Sequence, residues 1–359
     1  MKINFKFYNY KRVYINFCFL ALLIIFFSTE KIYAKTFSVN HVEISSPFEI
    51  NFDKNDIIDK GFSLAFDQLI LSIIQTKEQK KLENISLSII KGMIETFSIH
   101  EEKFINDIYY LSLNVSFNKK KIFNLLESKN IFPSLPIDKK VFFIPLIVDN
   151  SKNEILMFSE SYLFKNWNSK ISKHHLLKYI LPTEDLEDFN LIKSNLENIE
   201  NYDFKEIIEK YNLENFIITI VFKNNYEIRV LNKISFNEKM YIKNLRFKNL
   251  KLNDKNEIQE FIQTLKNIYE NQWKYENEIN TSIKSFFTVS AKNNDSNKIS
   301  QFEELLTNMD LIYNFYIYKF NNKDNFYKII FNGSPDYFLK IMRELSYEFD
   351  TQNQIWFLK

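Results

Sequence analysis

The feature that most constrains the fold is a switch between two apolar periods, which occurs at both ends of the chain. Between residues 36 and 149, segments with an apolar residue at every second position alternate with segments whose apolar residues recur at every third and fourth position. The first period is typical of strands with one buried face, and the second of amphipathic helices. The resulting order β-α-β-β-α-β recurs over 283–359. The pattern predicts an α+β protein with a split βαβ, ferredoxin-like unit at each end.

Three of the predicted N-terminal elements have distinct apolar patterns. The first strand, over 36–45, alternates apolar and polar residues but loses its phase at Asn40 and His41. Residues 59–75 carry one broad apolar face at helical spacing. The last strand of the unit, 141–148, is almost entirely apolar. Such a composition is expected of a central strand that is covered on both faces.

The residues between the two units predict a hairpin, a further strand and one long helix. The apolar runs 215–222 and 226–234 are separated by a short polar turn and indicate a hairpin, and 239–247 indicates a third strand. Apolar residues at helical spacing follow from residue 254 onward. The expected organisation is a signal peptide at 1–34, an N-terminal domain at 36–150, a middle α/β segment at 151–250, a long helix at 251–282 and a C-terminal ferredoxin-like domain at 283–359.

The first 34 residues have the order of a secretory signal. Four cations precede the apolar run 13–27, and Ala34 offers a small residue at a cleavage point before Lys35. The run spans 15 residues, whereas a helix needs roughly 20 to cross a bilayer core. The sequence therefore predicts a cleaved signal and a periplasmic protein. The alternative is an uncleaved segment that anchors the chain in the inner membrane.

Composition excludes several classes of protein. Removal of residues 1–34 takes away five cations and one anion, so the net charge changes from +2 to −2 and the positive charge typical of nucleic-acid binding is lost. The sole cysteine, Cys18, lies within the signal, so we expect no disulfide, thiolate ligand or cysteine nucleophile in the mature chain. With 3 glycines in the whole sequence, a glycine-rich phosphate loop is excluded as well.

The acidic segment 184–188 is the main candidate for chemistry, with Asp185 and Asp188 as weak metal candidates. Neighbouring carboxylates can bind Ca²⁺ or Mg²⁺. However, acidic residues also stabilise the first turn of a helix, and this segment directly follows Pro182 and Thr183. We interpret the segment as a helix start with Thr183 as the N-cap, and we expect no metal and no cofactor.

The histidines and one serine are weaker candidates. His174 and His175 are adjacent, so in an extended chain their side chains point to opposite faces and cannot bind one ion together. Neither His41 nor His100 has an obvious partner in the sequence. Ser63 follows a glycine, but it falls inside an amphipathic helix and not after a buried strand, where a nucleophilic serine would lie. No catalytic residue is predicted.

Several segments resemble one family of exported proteins. They are Ala65-Phe66-Asp67-Gln68-Leu69, the strand 111–117 with the helix 122–126 after it, the Leu-Pro and acidic stretch 181–188, and the ending 354–357. Over most of residues 36–250 the chain resembles the proteobacterial family described as domain of unknown function 2066. The chain departs from that family by carrying bulkier residues at most of the expected Gly and Ala positions. The resemblance implies an exported proteobacterial protein and supplies neither an activity nor catalytic residues.

These observations predict a non-enzymatic periplasmic binding or scaffold protein of the cell envelope. Its expected partner is another envelope protein, nucleic acid is not expected, and membrane contact is expected only through the signal segment or a partner. One alternative is a metal-dependent hydrolase that uses the segment 184–188. The other is a sensor tethered to the inner membrane by residues 1–34. The oligomeric state is left open.

Overall fold

The computed structural model of the protein describes residues 37–169, 174–224 and 227–359. Helices and three sheets occur in similar measure, which confirms the α+β class. In these described ranges, no helix combines the length and apolar character that crossing a membrane requires. The predicted signal, 1–34, lies outside the described residues.

The N-terminal unit is a three-stranded antiparallel sheet in the order β1-β3-β2. Its elements are β1 (Ser38–Pro47), α1 (Lys54–Ile73), α2 (Leu87–Met93), β2 (Ile94–Ile105), β3 (Ile108–Phe117) and α3 (Lys119–Ser128). Helix α1 begins earlier than the apolar period indicates, because the side chain of Asp53 caps it by accepting from the Asn55 N–H. The short helix α2 was not predicted.

The phase slip in the first strand is a β-bulge. The pairing of β1 with β3 shifts register between Val39 and Val42, and His41 has a φ of 54°. An extra residue at this point returns Val42 to the core face of the sheet, where it is fully buried. The loss of alternation in the sequence therefore has a direct structural counterpart.

The strand predicted at 141–148 belongs to a different sheet, so the predicted N-terminal ferredoxin-like unit is wrong. This strand, β4 (Lys139–Asp149), joins the middle sheet, whose order is β5-β4-β7-β8-β9 with β6 also paired to β4. The other strands are β5 (Glu154–Leu156), β6 (Leu177–Ile180), β7 (Phe216–Lys223), β8 (Glu227–Phe236) and β9 (Lys239–Lys248). Because β4 is apolar on both faces, it lies inside a sheet that helices cover on both sides.

Helices cover the two faces of the middle sheet. They are α4 (Tyr162–Asn166), α5 (Leu186–Ser194), α6 (Lys205–Lys210) and α7 (Lys255–Glu276). The long helix α7, which the sequence predicted, packs its apolar stripe on one face together with Trp167. Helices α5 and α6 contribute Ile192 and Ile207 to the core on the opposite face. The predicted strands β7, β8 and β9 are confirmed.

The C-terminal unit has the predicted elements and one extra short strand. Its elements are β10 (Lys284–Lys292), α8 (Ser296–Asn308), β11 (Ile312–Phe320), β12 (Asp324–Asn332), α9 (Pro335–Glu344), β13 (Phe349–Asp350) and β14 (Ile355–Leu358). The sheet order is β11-β12-β10-β14-β13. Strand β12 is antiparallel to β10, and a strand that follows a helix crossover runs in the same direction as the strand before the helix. In a ferredoxin-like unit, the last strand would therefore be antiparallel to β10. The two-residue strand β13 reverses the chain once more, and β14 is therefore parallel to β10.

The N-terminal and C-terminal units share one apolar core, although the sequence predicted them as separate domains. Buried side chains from 37–131 and from 279–358 form a single cluster. The Ile279 N–H donates to the Pro133 carbonyl at 2.7 Å. The ammonium of Lys284 pairs with the Glu127 carboxylate at 3.2 Å. Packing thus joins segments that lie at opposite ends of the described chain.

Candidate functional site

The acidic segment 184–188 begins helix α5, as the capping interpretation predicted. The residue that caps the helix is Asp185, however, whose carboxylate accepts from the Glu187 N–H at 2.8 Å. The predicted N-cap, Thr183, lies before the helix, and its N–H donates to the Tyr211 hydroxyl at 2.7 Å. The prediction of the cap residue was therefore wrong by two positions, because either side chain could have filled the role in the sequence.

Lys210 on α6 occupies the space among these carboxylates. Its Nζ lies 2.5 Å from Asp188 Oδ1, 3.3 Å from Asp185 Oδ2 and 3.5 Å from Glu187 Oε2. Asp188 is only 2% exposed. Hydrogen bonds to Asp188 and Asp185, together with the attraction of their charges, raise the pKa of Lys210 well above its usual value. The Lys210 ammonium thus pairs with the carboxylates that the sequence offered as weak metal candidates.

The described residues contain no cluster of metal-ligating side chains. Among residues 37–169, 174–224 and 227–359, no group of three or more His, Cys, Asp or Glu side chains is arranged to hold an ion. The weak candidates Asp185 and Asp188 come together, but around Lys210.

His41 and His100 meet on the outer face of the N-terminal sheet, a contact that the sequence analysis missed. Their ring centroids are 4.3 Å apart with the planes at 88°. Each lies at a register shift, in β1 and in β2 respectively. The edge of one ring meets the face of the other, which is a favourable aromatic contact but does not direct two nitrogen lone pairs to one point. The phase slip at His41 was the available signal.

The histidine pair differs from its prediction, whereas Ser63 lies inside a helix as predicted. Burial lowers the pKa of His174, and burial together with the neighbouring ring of His174 lowers the pKa of His175 to about 4. His174 lies in a turn and not in an extended strand. The two rings contact each other in a perpendicular arrangement with centroids 4.8 Å apart, so the prediction that they point to opposite faces is wrong. Ser63 lies inside α1, where its hydroxyl donates to the Asp59 carbonyl at 3.2 Å.

A buried polar group lies between α7 and the middle sheet. The hydroxyls of Thr219 and Tyr269 are 2.6 Å apart, and the Thr219 hydroxyl also donates to Asn232 Oδ1 at 3.0 Å. Burial raises the pKa of Tyr269 far above its usual value. Because each side chain in this group satisfies its neighbours, the group fixes the register of α7 on the sheet.

Two buried charges on α7 attach the helix to other elements. The carboxylate of Glu270 accepts from the Leu176 N–H at 3.1 Å and from the Leu177 N–H at 2.9 Å, at the start of β6. The ammonium of Lys274 donates to the Leu71 carbonyl at the end of α1. Burial raises the pKa of Glu270 and lowers the pKa of Lys274 to about 8. Glu270 therefore attaches α7 to β6, and Lys274 attaches α7 to α1.

The exposed edge of the N-terminal sheet is the strongest candidate for binding. Strand β2 is 12 residues long and exposed over almost all of its length. It pairs with β3 on one side, and in the part of the chain that the structure describes no strand pairs with its other side. Phe97, Ile99 and Phe104 form a row beside this edge and are 48%, 40% and 55% exposed. A long exposed edge with a row of apolar side chains is a template for a further strand.

The row is held in place from below by other aromatic rings. Phe97 packs against Phe62 of α1 with ring centroids 5.0 Å apart, and Phe104 packs against Phe48 at 4.9 Å. A groove of about 440 Å³ crosses the outer face of the same sheet, next to β2, with Tyr110 in its lining. The edge therefore combines open backbone groups, a supported apolar row and adjacent space.

No family model matches the chain, and no curated protein matches it in sequence. The resemblance to domain of unknown function 2066 therefore stays a prediction, together with the export that it implies.

Proposed function

We propose that the chain is an exported, non-enzymatic binding protein of the bacterial periplasm, which captures an extended segment of an envelope protein along strand β2. The order of the first 34 residues supports export. The open edge of β2 supports capture, since an extended segment that adds to a sheet gains main-chain hydrogen bonds there. This edge is the single observation on which the binding role rests.

The side chains of β2 define the chemistry of the captured segment. Phe97, Ile99 and Phe104 offer apolar contact to alternate side chains of an added strand. The strand carries three glutamates and one lysine. Cross-strand pairs of opposite charge stabilise a sheet. The segment is therefore extended, has apolar side chains at alternate positions, and carries lysine or arginine between them.

Strand β9, at the edge of the middle sheet, differs from β2 in the charge of its side chains. Strand β9 also has exposed apolar residues, including Ile242. It carries four cations and no acidic residue. Lysines on an edge strand discourage the addition of another strand, because the charge would have to be covered. Strand β9 therefore serves as a matched control for β2.

Photocrosslinking in cells tests the proposal. A photoreactive residue at Ile99 should crosslink to an envelope protein, and one at Ile242 should not. The crosslinked segment, mapped by mass spectrometry, should have the alternating apolar and cationic pattern given above. The double substitution Phe97→Lys and Ile99→Lys should remove the crosslink from a probe at Phe104, whereas Met240→Lys with Ile242→Lys should not. Equal crosslinking from both edges, or none from β2, would reject the proposal.

The compartment has a separate test. N-terminal sequencing of the protein from cell envelopes should find a chain that begins at Lys35, because Ala34 precedes the expected cleavage point. An intact N-terminus in the membrane fraction would support the tethered sensor instead. A full-length, soluble chain in the cytosol would contradict export altogether.

A further inference from the structure

A second exposed surface lies on the outer face of the C-terminal sheet. Helices α8 and α9 pack on the other face, where Phe302 and Phe338 are fully buried. The outer face carries aromatic residues on neighbouring strands, among them Phe286, which is 73% exposed. The register places Phe357 beside Ser290, and Ser290 beside Phe326. Aromatic side chains on this scale of exposure mark an interaction surface.

The hairpin of β11 and β12 extends this surface and adds positive charge. In β11, Tyr316 is 47% exposed and lies opposite Lys328 on the outer face, whereas Phe320 lies opposite Asn325 on the other face of the hairpin. Between residues 316 and 328 the hairpin carries three lysines and one acidic residue, Asp324. The surface therefore combines protruding apolar side chains with a net positive charge, and it suits an anionic partner.

The faces of two aromatic rings are already covered by lysines. Lys319 Nζ lies 5.5 Å from the centroid of the Phe326 ring, and Lys328 Nζ lies 5.2 Å from the centroid of the Tyr318 ring. A partner that stacks on ring faces, such as the bases of a single-stranded nucleic acid, would have to displace these cation–π contacts. The arrangement favours a partner that contacts the exposed ring edges and the ammonium groups at the same time.

A second copy of this chain is disfavoured by charge. Two such faces packed together would bring the lysines of both copies into one interface, where like charges repel. A bilayer surface that contains anionic lipids has the opposite properties. Aromatic side chains are favoured at the boundary between headgroups and acyl chains, and lysines are attracted by anionic headgroups.

We propose that the hairpin of β11 and β12, with the outer face beside it, docks on an anionic lipid surface. Phe286 and Tyr316 enter the interfacial region, while Lys319 and Lys328 on the same face contact anionic headgroups. This contact is independent of the partner bound at β2. It goes beyond the expectation that the membrane is reached only through the signal segment or a partner.

A local fluorescent probe on the full chain tests the proposal. Tyr316→Cys in a Cys18→Ser background places one thiol on the outer face of the hairpin for an environment-sensitive dye. Vesicles of phosphatidylcholine mixed with phosphatidylglycerol should shift its emission to shorter wavelength, and vesicles of phosphatidylcholine alone should not. A dye at Leu186→Cys, which is exposed on the acidic helix α5, should respond to neither. This local readout separates the hairpin from the apolar run 13–27.

Charge reversal supplies the decisive comparison. Lys319→Glu with Lys328→Glu should weaken the vesicle affinity read by the dye by roughly 25-fold or more, since each lysine near an anionic surface contributes about a fivefold factor. Circular dichroism should show an unchanged fold, because both lysines are exposed. An unchanged affinity in this variant overturns the proposal. The proposal is also overturned if single-stranded oligonucleotides shift the emission of the dye, or if the shift rises with protein concentration in the absence of vesicles.

Discussion

Lys274 is the buried charge whose titration should govern part of the pH dependence of stability. Its ammonium is almost fully buried and donates to the Leu71 carbonyl. Burial lowers its pKa to about 8, although the Glu270 carboxylate acts in the opposite direction. With a folded pKa below the unfolded value of 10.5, the unfolded state binds more protons between those two values. The contribution of Lys274 to the free energy of unfolding therefore rises as the pH increases from about 8.

We predict that Lys274→Met removes this rise. Between pH 7 and pH 9.5, the free energy of unfolding of the wild type should increase by about 1–2 kcal/mol relative to the variant. Urea titrations at the two pH values measure this difference. The control is Lys255→Met, an exposed lysine in the first turn of the same helix, which should follow the wild type. Parallel curves for the wild type and Lys274→Met would contradict the assignment.

Single residues also show how far the sequence could specify the candidate site. The acidic segment was correctly interpreted as a helix start, because capping is a local property of neighbouring residues. Lys210, which fills the cluster, is 22 positions from Asp188, and local patterns carry no information about such contacts. The pairing of His41 with His100 was missed for the same reason. It needs two bulges in different strands to bring the rings together.

At the scale of elements, the contact of α1 with the N-terminal sheet depends on one glycine. A Cβ at Gly61 would lie 2.5 Å from Leu113 Cδ1 and 3.0 Å from Ile44 Cδ1. Leu113 is fully buried, so its side chain has little room to move away. Gly61 thus allows the helix to lie close to strands β1 and β3, although glycine is otherwise unfavourable inside a helix.

We predict opposite effects for two glycine substitutions. Gly61→Ala should destabilise the fold by about 1–2 kcal/mol, because overpacking outweighs the gain in helix propensity. Gly92→Ala in α2 should stabilise it by about 0.5 kcal/mol, since no atom lies within 4 Å of the added Cβ. Thermal denaturation of the two variants measures both signs. Stabilisation by both substitutions would mean that α1 does not approach the sheet so closely.

The elements themselves were largely predictable, but their assignment to sheets was not. Apolar periods report which faces of an element are buried, and they gave β7 to β12 and the long helix α7. They do not report which strand lies beside which. The apolar strand β4 was therefore placed in the N-terminal unit, although its long parallel pairing is with β7. Strand β13 has two residues, too few for any period to show.

At the scale of the whole molecule, the shared core makes the two ends of the chain depend on each other. Leu126 of α3 is fully buried in the cluster that also contains Phe302 and Phe338 of the C-terminal unit. The ammonium of Lys119, on the same helix, donates to the Met309 carbonyl at 2.5 Å. A defect in α3 should therefore reach the C-terminal sheet, while the middle sheet has apolar clusters of its own.

Hydrogen exchange can show whether this coupling exists. Leu126→Ala removes buried methyl groups and should lower local stability by about 2–5 kcal/mol. We predict that amides of β3 and of β12 lose protection together, because one core supports both sheets. Ile220→Ala, at a fully buried position of β7, should reduce protection mainly in the middle sheet. If Leu126→Ala accelerated exchange in β3 and left β12 unchanged, the two units would have to be independent domains, as the sequence predicted. The shared cluster would then be a contact between two folded domains and not a common core.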